Sequence, residues 1–218
     1  MTNSSRFDTF LKQFKSILYR RRERIILPGE EADNVFYIVQ GHVTQSILSP
    51  NGNQFTPYIF APNTFFPSIW FENDKLPNIH DHEYESLTPV EVYKIPKGKL
   101  MSYFRENPNE IFIFHEQLTV YSAELLKKLE TRVFGDAFHM VTLVLLDLAK
   151  LFGKKQTKEI IINYWFTHQD IANISGLSRE VVTIQMNHLM KKKLIGYKNH
   201  FIVINSLKAL ETELQSEK

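Results

Sequence analysis

Residues 167–195, T-H-Q-D-I-A-N-I-S-G-L-S-R-E-V-V-T-I-Q-M-N-H-L-M-K-K-K-L-I, restrict the folds open to this chain more than any other stretch. They spell two helices joined by a glycine turn. Thr167 is placed to cap the first helix, with Asp170 as an acid in its first turn. Ile171, Ala172 and Ile174 give that helix its apolar side, and the small Ala172 lets a second helix cross closely. Gly176 stands where a tight helix-to-helix turn needs positive φ. Ser178 then caps a second helix that should run to about Lys192.

On a wheel of about 100° per residue, Val182, Met186 and Leu189 gather on one side of the second helix. Arg179, Glu180, Thr183, Ile184 and Asn187 gather on the other. Such a face suits base edges in a DNA major groove. Arg donates two bonds to guanine, Glu accepts from cytosine, and apolar groups touch the thymine methyl. Lys191, Lys192 and Lys193 come next, as contacts to phosphate or as a solvated helix end favoured by the macrodipole. The net charge of the whole chain is only +2. The local patch matters more. Between Thr167 and His200 five cations (Arg179, Lys191, Lys192, Lys193, Lys198) face two acids (Asp170, Glu180).

This stretch resembles the DNA-binding motif of the Crp/Fnr family of bacterial transcription regulators, whose pattern is close to T-x-Q-(E/D)-I-A-x-x-x-G-x-S-R-E-T-V-x-R. Thr167, Gln169, Asp170, Ile171, Ala172, Gly176, Ser178, Arg179, Glu180 and Val182 match without a gap. The resemblance implies that Arg179 and Glu180 read bases, and that Thr167, Gln169 and Ser178 touch phosphates. Two positions depart. Ile184 replaces the family's usual second base-reading arginine, and Gln185 stands at a usual core position. The preferred DNA site should differ accordingly.

Upstream, the pattern has a different period. Phe7, Phe10, Leu11, Phe14 and Leu18 have helical spacing, so residues 6–18 are expected to form a short helix docked on the strands after it. The basic run from Tyr19 to Arg24 reads either as a nucleic-acid contact or as a solvated edge before the first strand, the second being expected. From Arg24 to Ile95 short strands alternate with turns at Pro28-Gly29, Gly41 and Asn51-Gly52. That spacing suits a barrel or roll. With F-Y-I-V-Q-G-H-V between its glycines, it resembles the opening of the cyclic-nucleotide-binding β-roll. In nucleotide-binding members the ligand cassette resembles G-E-(L/I)-(A/S)-L followed by R-(S/T)-A. A carboxylate there takes the ribose, and an arginine with helix-end amides takes the phosphate. Here Pro67 and Ser68 stand where Gly-Glu is expected, and no arginine lies between Arg24 and Arg105. A buried phosphate would lack its cation. Cyclic nucleotide is therefore not the expected effector, although a responsive regulator with a divergent site is the alternative. Phe55, Tyr58, Phe60, Phe65, Phe66, Trp70 and Phe71 form either a plain roll core or a pocket for a flat, apolar effector. Within that set Phe55, Tyr58, Phe65, Phe66 and Trp70 are the candidate pocket. His80, Asp81 and His82 are either metal or haem donors or an exposed loop, and no metal is expected.

Residues 97–107 should form a short helix ending before Pro108, and a long helix should run from there to about Phe134. Ile111, Leu118 and Leu125 recur every seven residues, with Phe114 and Tyr121 interleaved. Such a seam packs either within one chain or against a second copy. The resemblance implies the second, a dimer interface. Gly135 and Asp136 mark a hinge, followed by a nearly all-apolar helix at M-V-T-L-V-L-L-D-L-A-K-L-F. K-K-Q-T-K-E should be a loop, I-I-I-N-Y a strand, L-I-G-Y-K-N-H-F-I-V-I-N a wing turning at Asn199-His200, and Ser206 to Leu214 a closing helix. Lys198 and His200 at the wing tip are placed to approach phosphates.

The expected architecture is α+β. Residues 1–108 are an N-terminal jelly-roll-like β-roll with its helix, 109–134 a long dimerisation helix, and 135–218 a C-terminal winged helix-turn-helix domain. The absence of cysteine excludes disulfides, cysteine-ligated zinc, four-cysteine iron–sulfur clusters and thiol redox sensing by this chain. No apolar run is long enough to span a membrane, and M-T-N-S-S-R-F-D lacks a signal-peptide core, which points to the cytoplasm. No Gly-rich phosphate loop, nucleophile motif or paired-carboxylate motif appears, and His115-Glu116 is not H-E-x-x-H because residue 119 is Thr. An enzyme is not expected. The partners implied are double-stranded DNA, a second copy of the chain and RNA polymerase.

Overall fold

A computed structural model of the chain describes residues 4–30, 33–49, 51–67, 82–156 and 159–215. The fold divides into two compact units, Met1–Glu124 and Leu125–Lys218.

Among the described residues, the first unit opens with α1 (Ser4–Leu11) and continues through eight strands, β1 (Ser16–Tyr19), β2 (Arg24–Ile26), β3 (Asn34–Gln40), β4 (Val43–Leu48), β5 (Gln54–Phe60), β6 (Phe65–Phe66), β7 (His82–Ser86) and β8 (Val90–Pro96). They build two four-stranded sheets ordered β1-β8-β3-β6 and β2-β7-β4-β5, with antiparallel pairing. Phe66 of the first sheet stacks 5.6 Å from Tyr84 of the second and lies 5.9 Å from Phe60, so aromatic side chains fill the interior of the roll. At the β3–β4 turn a Cβ on Gly41 would lie 2.2 Å from the Pro89 carbonyl, and φ there is +89°. Only glycine fits that close approach.

The expected helix over residues 6–18 is half right. Phe7, Phe10 and Leu11 dock on Val35, Phe65, Ile95, Leu100 and Phe104 as a helix should. The helix stops at Leu11, however, and Ser16–Tyr19 pairs with Val90–Tyr93 as an edge strand. Sheet pairing overrides the helical spacing of Phe14 and Leu18, and Leu18 is left 76% exposed.

A short helix α2 (Lys97–Glu106) and a turn at Pro108–Glu110 lead into the long helix α3 (Ile111–Phe134), within which the two units divide. In the second unit, Asp136 caps α4 (Ala137–Phe152) by accepting the His139 N–H at 3.0 Å. Residues 138–146 are buried without interruption, as a nearly all-apolar helix requires. The K-K-Q segment expected as loop is instead part of strand β9 (Gly153–Gln156), paired with β10 (Glu159–Ile162). All four β9 residues are exposed, so the strand carries no alternation for a sequence pattern to reveal. Next come α5 (His168–Ser175), α6 (Arg179–Lys191), β11 (Ile195–Lys198), β12 (Phe201–Ile204) and α7 (Leu207–Gln215), with sheet order β11-β12-β10-β9. Asn199 and His200 have φ of 48° and 69°, the positive pair of a tight hairpin turn, at the expected wing tip. Among the described residues, no helix is long and apolar enough to cross a membrane.

Candidate nucleic-acid interface

The interface is built from the caps outward. The Thr167 N–H donates to Asp170 Oδ2 at 2.7 Å, and the Asp170 N–H donates to Thr167 Oγ1 at 3.1 Å. This reciprocal capping box sets the start of α5. Gly176 ends α5 at φ 67°, in the left-handed region. Ser178 Oγ then accepts from the Val181 N–H at 3.3 Å and starts α6. Ala172, Val182, Met186 and Leu189 are at most 1% exposed and hold the two helices together.

That packing fixes which face of α6 meets solvent. Arg179, Glu180, Ile184 and Asn187 are exposed, and Ile184 is 62% exposed. Glu180 is held below the ordinary glutamate range, first by its own backbone N–H and then by the Ser178 hydroxyl. Its carboxylate therefore serves the helix N-terminus as well as facing outward. Thr183 is only half-buried and is engaged on both sides. Its hydroxyl donates to the Arg179 carbonyl at 2.9 Å, and His168 Nδ1 lies 2.9 Å away. His168 Nε2 in turn lies 3.2 Å from the Tyr197 hydroxyl on the wing. Burial, and then the Arg179 charge, push His168 below the ordinary imidazole value of 6.5.

The expected phosphate contacts are arranged around this face with different freedom. Gln169 is exposed, its Nε2 donating to Asn173 Oδ1 at 2.8 Å. Lys198 Nζ is 3.0 Å from Glu159 Oε2, an ion pair with side chains 55% and 37% exposed. The His200 ring lies 6.0 Å from Trp165, an aromatic 58% exposed beside the wing that sequence reasoning missed. The lysine run is partly structural. Lys192 caps α6, pairs with Glu213 and lies 5.1 Å above the Phe138 ring. Gln185, at a position the family usually buries, is half-buried and lines a cavity of about 340 Å³ with Phe138, His188 and Lys192.

In the first unit, the candidate effector residues do not form one set. Tyr58 and Phe66 lie in the roll interior, where Tyr58, Phe60 and Tyr121 are in ring contact. Phe65 belongs instead to the cluster that receives Phe7 and Phe114. Phe55 is 38% exposed on β5. Trp70 lies outside the described residues, as do Phe71, Ser68, His80 and Asp81. His82 is committed to the roll, its Nδ1 accepting from Gln45 Nε2 at 2.7 Å. Among the described residues, no group of three or more histidine, aspartate or glutamate side chains is placed to hold a metal ion.

The expected seam on α3 also divides. Ile111 is 46% exposed, and Leu118 and Leu125 are half-buried. Tyr121 turns the other way. It is 6% exposed and donates its hydroxyl to Gln45 Oε1 at 3.1 Å, so it is spent on the roll of its own chain. Phe114 likewise packs 5.8 Å from Phe65. The exposed flank includes Leu126, Leu129 and Val133, each about 60% exposed, which the seven-residue count passed over.

A Crp-like helix-turn-helix domain model matches residues 141–213, and a cyclic nucleotide-binding domain model matches residues 17–107. The chain is 25% identical over 189 residues to a global nitrogen regulator of Nostoc sp., across 86% of this chain and 83% of that protein. It is also 25% identical over 175 residues to a CRP-like cAMP-activated global transcriptional regulator of Mycobacterium tuberculosis, across 78% and 75% of the two chains. The crystal structure of a CRP/FNR-family transcriptional regulator from Thermus thermophilus superposes with a TM-score of 0.76 at 19% identity, covering 94% of this chain and 100% of that one.

Proposed function

The chain belongs to the Crp/Fnr family of transcription regulators, and from that premise we propose that it is a homodimer that reads an inverted-repeat DNA site without control by a cyclic nucleotide. The observation that carries DNA reading is the sidedness of α6. Val182, Met186 and Leu189 are fully buried while Arg179, Glu180, Ile184 and Asn187 face solvent beside a wing. Arg179 and Glu180 are the primary base readers, Thr183, Ile184 and Asn187 flank them, and Thr167, Gln169, Ser178, Lys198 and His200 serve the phosphates. A dimer presents two such helices, so half-sites lie about one turn of DNA apart. The dimer seam uses Ile111, Leu118 and Leu125 with the exposed Leu126, Leu129 and Val133. The regulator acts in the cytoplasm with RNA polymerase as a partner.

Independence from cyclic nucleotide is supported by the roll interior. The chain's own rings, Tyr58, Phe60, Phe66, Tyr84 and Tyr121, occupy it, and no arginine lies between Arg24 and Arg105 to pair with a phosphate. The alternative is a cyclic-nucleotide-responsive regulator with a divergent site, favoured by the domain match over residues 17–107 and by the cAMP-activated relative. Selection of bound duplexes from random sequence, with and without cyclic AMP or cyclic GMP, decides between them. An inverted-repeat motif of unchanged affinity in all three conditions is expected. Submicromolar nucleotide binding that tightens the DNA complex would establish the alternative.

A further inference from the structure

Three elements of the second unit are joined by a hydrogen-bond chain whose directions are forced. Thr183 Oγ1 on α6 is 2.9 Å from the Arg179 carbonyl and 2.9 Å from His168 Nδ1, at the first residue of α5. His168 Nε2 is 3.2 Å from the Tyr197 hydroxyl on β11. A carbonyl only accepts, so the single Thr183 hydrogen goes to Arg179. His168 Nδ1 must then carry a proton and donate to Thr183. In the neutral ring Nε2 is left as an acceptor, and the Tyr197 O–H fills it.

We propose that His168, as the Nδ1–H tautomer, is a positioning residue of the DNA interface that clamps the recognition helix to the wing and sets what Thr183 can offer a base. With its hydrogen spent on the backbone, Thr183 presents a remaining lone pair and a methyl group, and no donor. It can accept from a cytosine or adenine amino group or touch a thymine methyl. It cannot donate to guanine O6 or N7. Tyr197, bonded to the same ring, ties the wing strand to that choice. The specificity half of this proposal rests on the proposed DNA-reading function, whereas the clamp itself does not.

Two measurements on the full chain test it. Nitrogen-15 NMR of the histidine rings, assigned with His168→Ala, should show His168 with Nδ1 protonated and Nε2 bare at neutral pH. Tyr197→Phe removes the donor to Nε2, so it should move the Nε2 resonance while Nδ1, held by Thr183, stays protonated. Selection of bound duplexes should show, for His168→Ala, a discrimination at the base facing Thr183 weakened about three- to tenfold, the size of one net hydrogen bond. Preferences at the bases facing Arg179 and Glu180 should persist. A bare Nδ1, or a cationic ring at neutral pH, overturns the clamp. A uniform loss of affinity in His168→Ala with every preference retained overturns the specificity role. If the wild type selects no preferred sequence, the DNA-reading premise falls and the specificity role with it, while the tautomer result still decides the clamp.

Discussion

Inside the β-roll, the buried amide of Gln45 is met by side chains on both sides, whereas on α6 Arg179, Ile184 and Asn187 face solvent. Gln45 is 2% exposed, yet its amide is satisfied on both sides, by Tyr121 and by His82. In the second unit, Arg179 and Asn187 are exposed, and Gln169 bonds its surface neighbour Asn173. The difference teaches where evolution can change each region cheaply. A self-satisfied interior resists single changes, because each leaves a buried partner unpaired. The exposed face of α6 can change residue by residue without leaving a buried partner unpaired, as at Ile184, 62% exposed.

The largest effect should come from the roll. Phe66 is fully buried between Phe36 and Tyr84. Phe66→Ala should cost about 3–5 kcal/mol of stability, seen as a lower denaturation midpoint. A cost below about 1 kcal/mol would mean that the interior repacks and is not a rigid core. Leu118→Glu should come next. A charge in an apolar seam costs several kcal/mol if it stays unpaired, so sedimentation should show monomer for the variant and dimer for the parent at micromolar concentration. A monomeric parent would remove the seam altogether.

Two changes of similar size sharpen the contrast between satisfied and exposed groups. Arg179→Ala should lose about 1–3 kcal/mol at one base pair and relax preference there. Its measurement is a binding matrix for parent and variant. A uniform fall with preferences intact would make Arg179 a phosphate ligand. Tyr121→Phe removes one hydroxyl and leaves Gln45 Oε1 without that donor, at a cost of about 1–2 kcal/mol in unfolding free energy. DNA affinity should be unchanged if the roll is a passive core. If affinity changes instead, Tyr121 couples the roll to DNA binding.

The same contrast explains what the sequence could reveal. Caps and the Gly176 turn are local signals, so the helix-turn-helix boundaries were legible from Thr167, Asp170, Gly176 and Ser178 alone. Glycine-punctuated strands placed the roll. The phase of Tyr121 was not legible, because α3 has apolar residues on two faces and a seven-residue repeat does not say which one meets its own domain. Nor was the edge strand at Ser16–Tyr19, whose partners lie more than 70 residues away. The His168 chain joins residues 15 and 29 positions apart, a spacing that no helical or strand period picks out.

The smallest effect concerns Lys198, a wing cation paired with Glu159. Its bond to Glu159 is exposed on both sides, and such pairs contribute roughly 0–1 kcal/mol. A DNA phosphate can therefore displace Glu159 at little cost. Lys198→Ala should weaken binding to every sequence alike and lower the slope of log affinity against log salt by about one. Glu159→Gln should act in the opposite sense, since it frees the lysine and removes an acid from β10 beside the wing. It should raise affinity slightly for all duplexes and leave the base preferences as they were. Titrations of a specific and a scrambled duplex at three salt concentrations measure both slopes. A slope unchanged in Lys198→Ala would show that Lys198 only braces the wing against β10, and a changed base preference would move it from the phosphates to the bases.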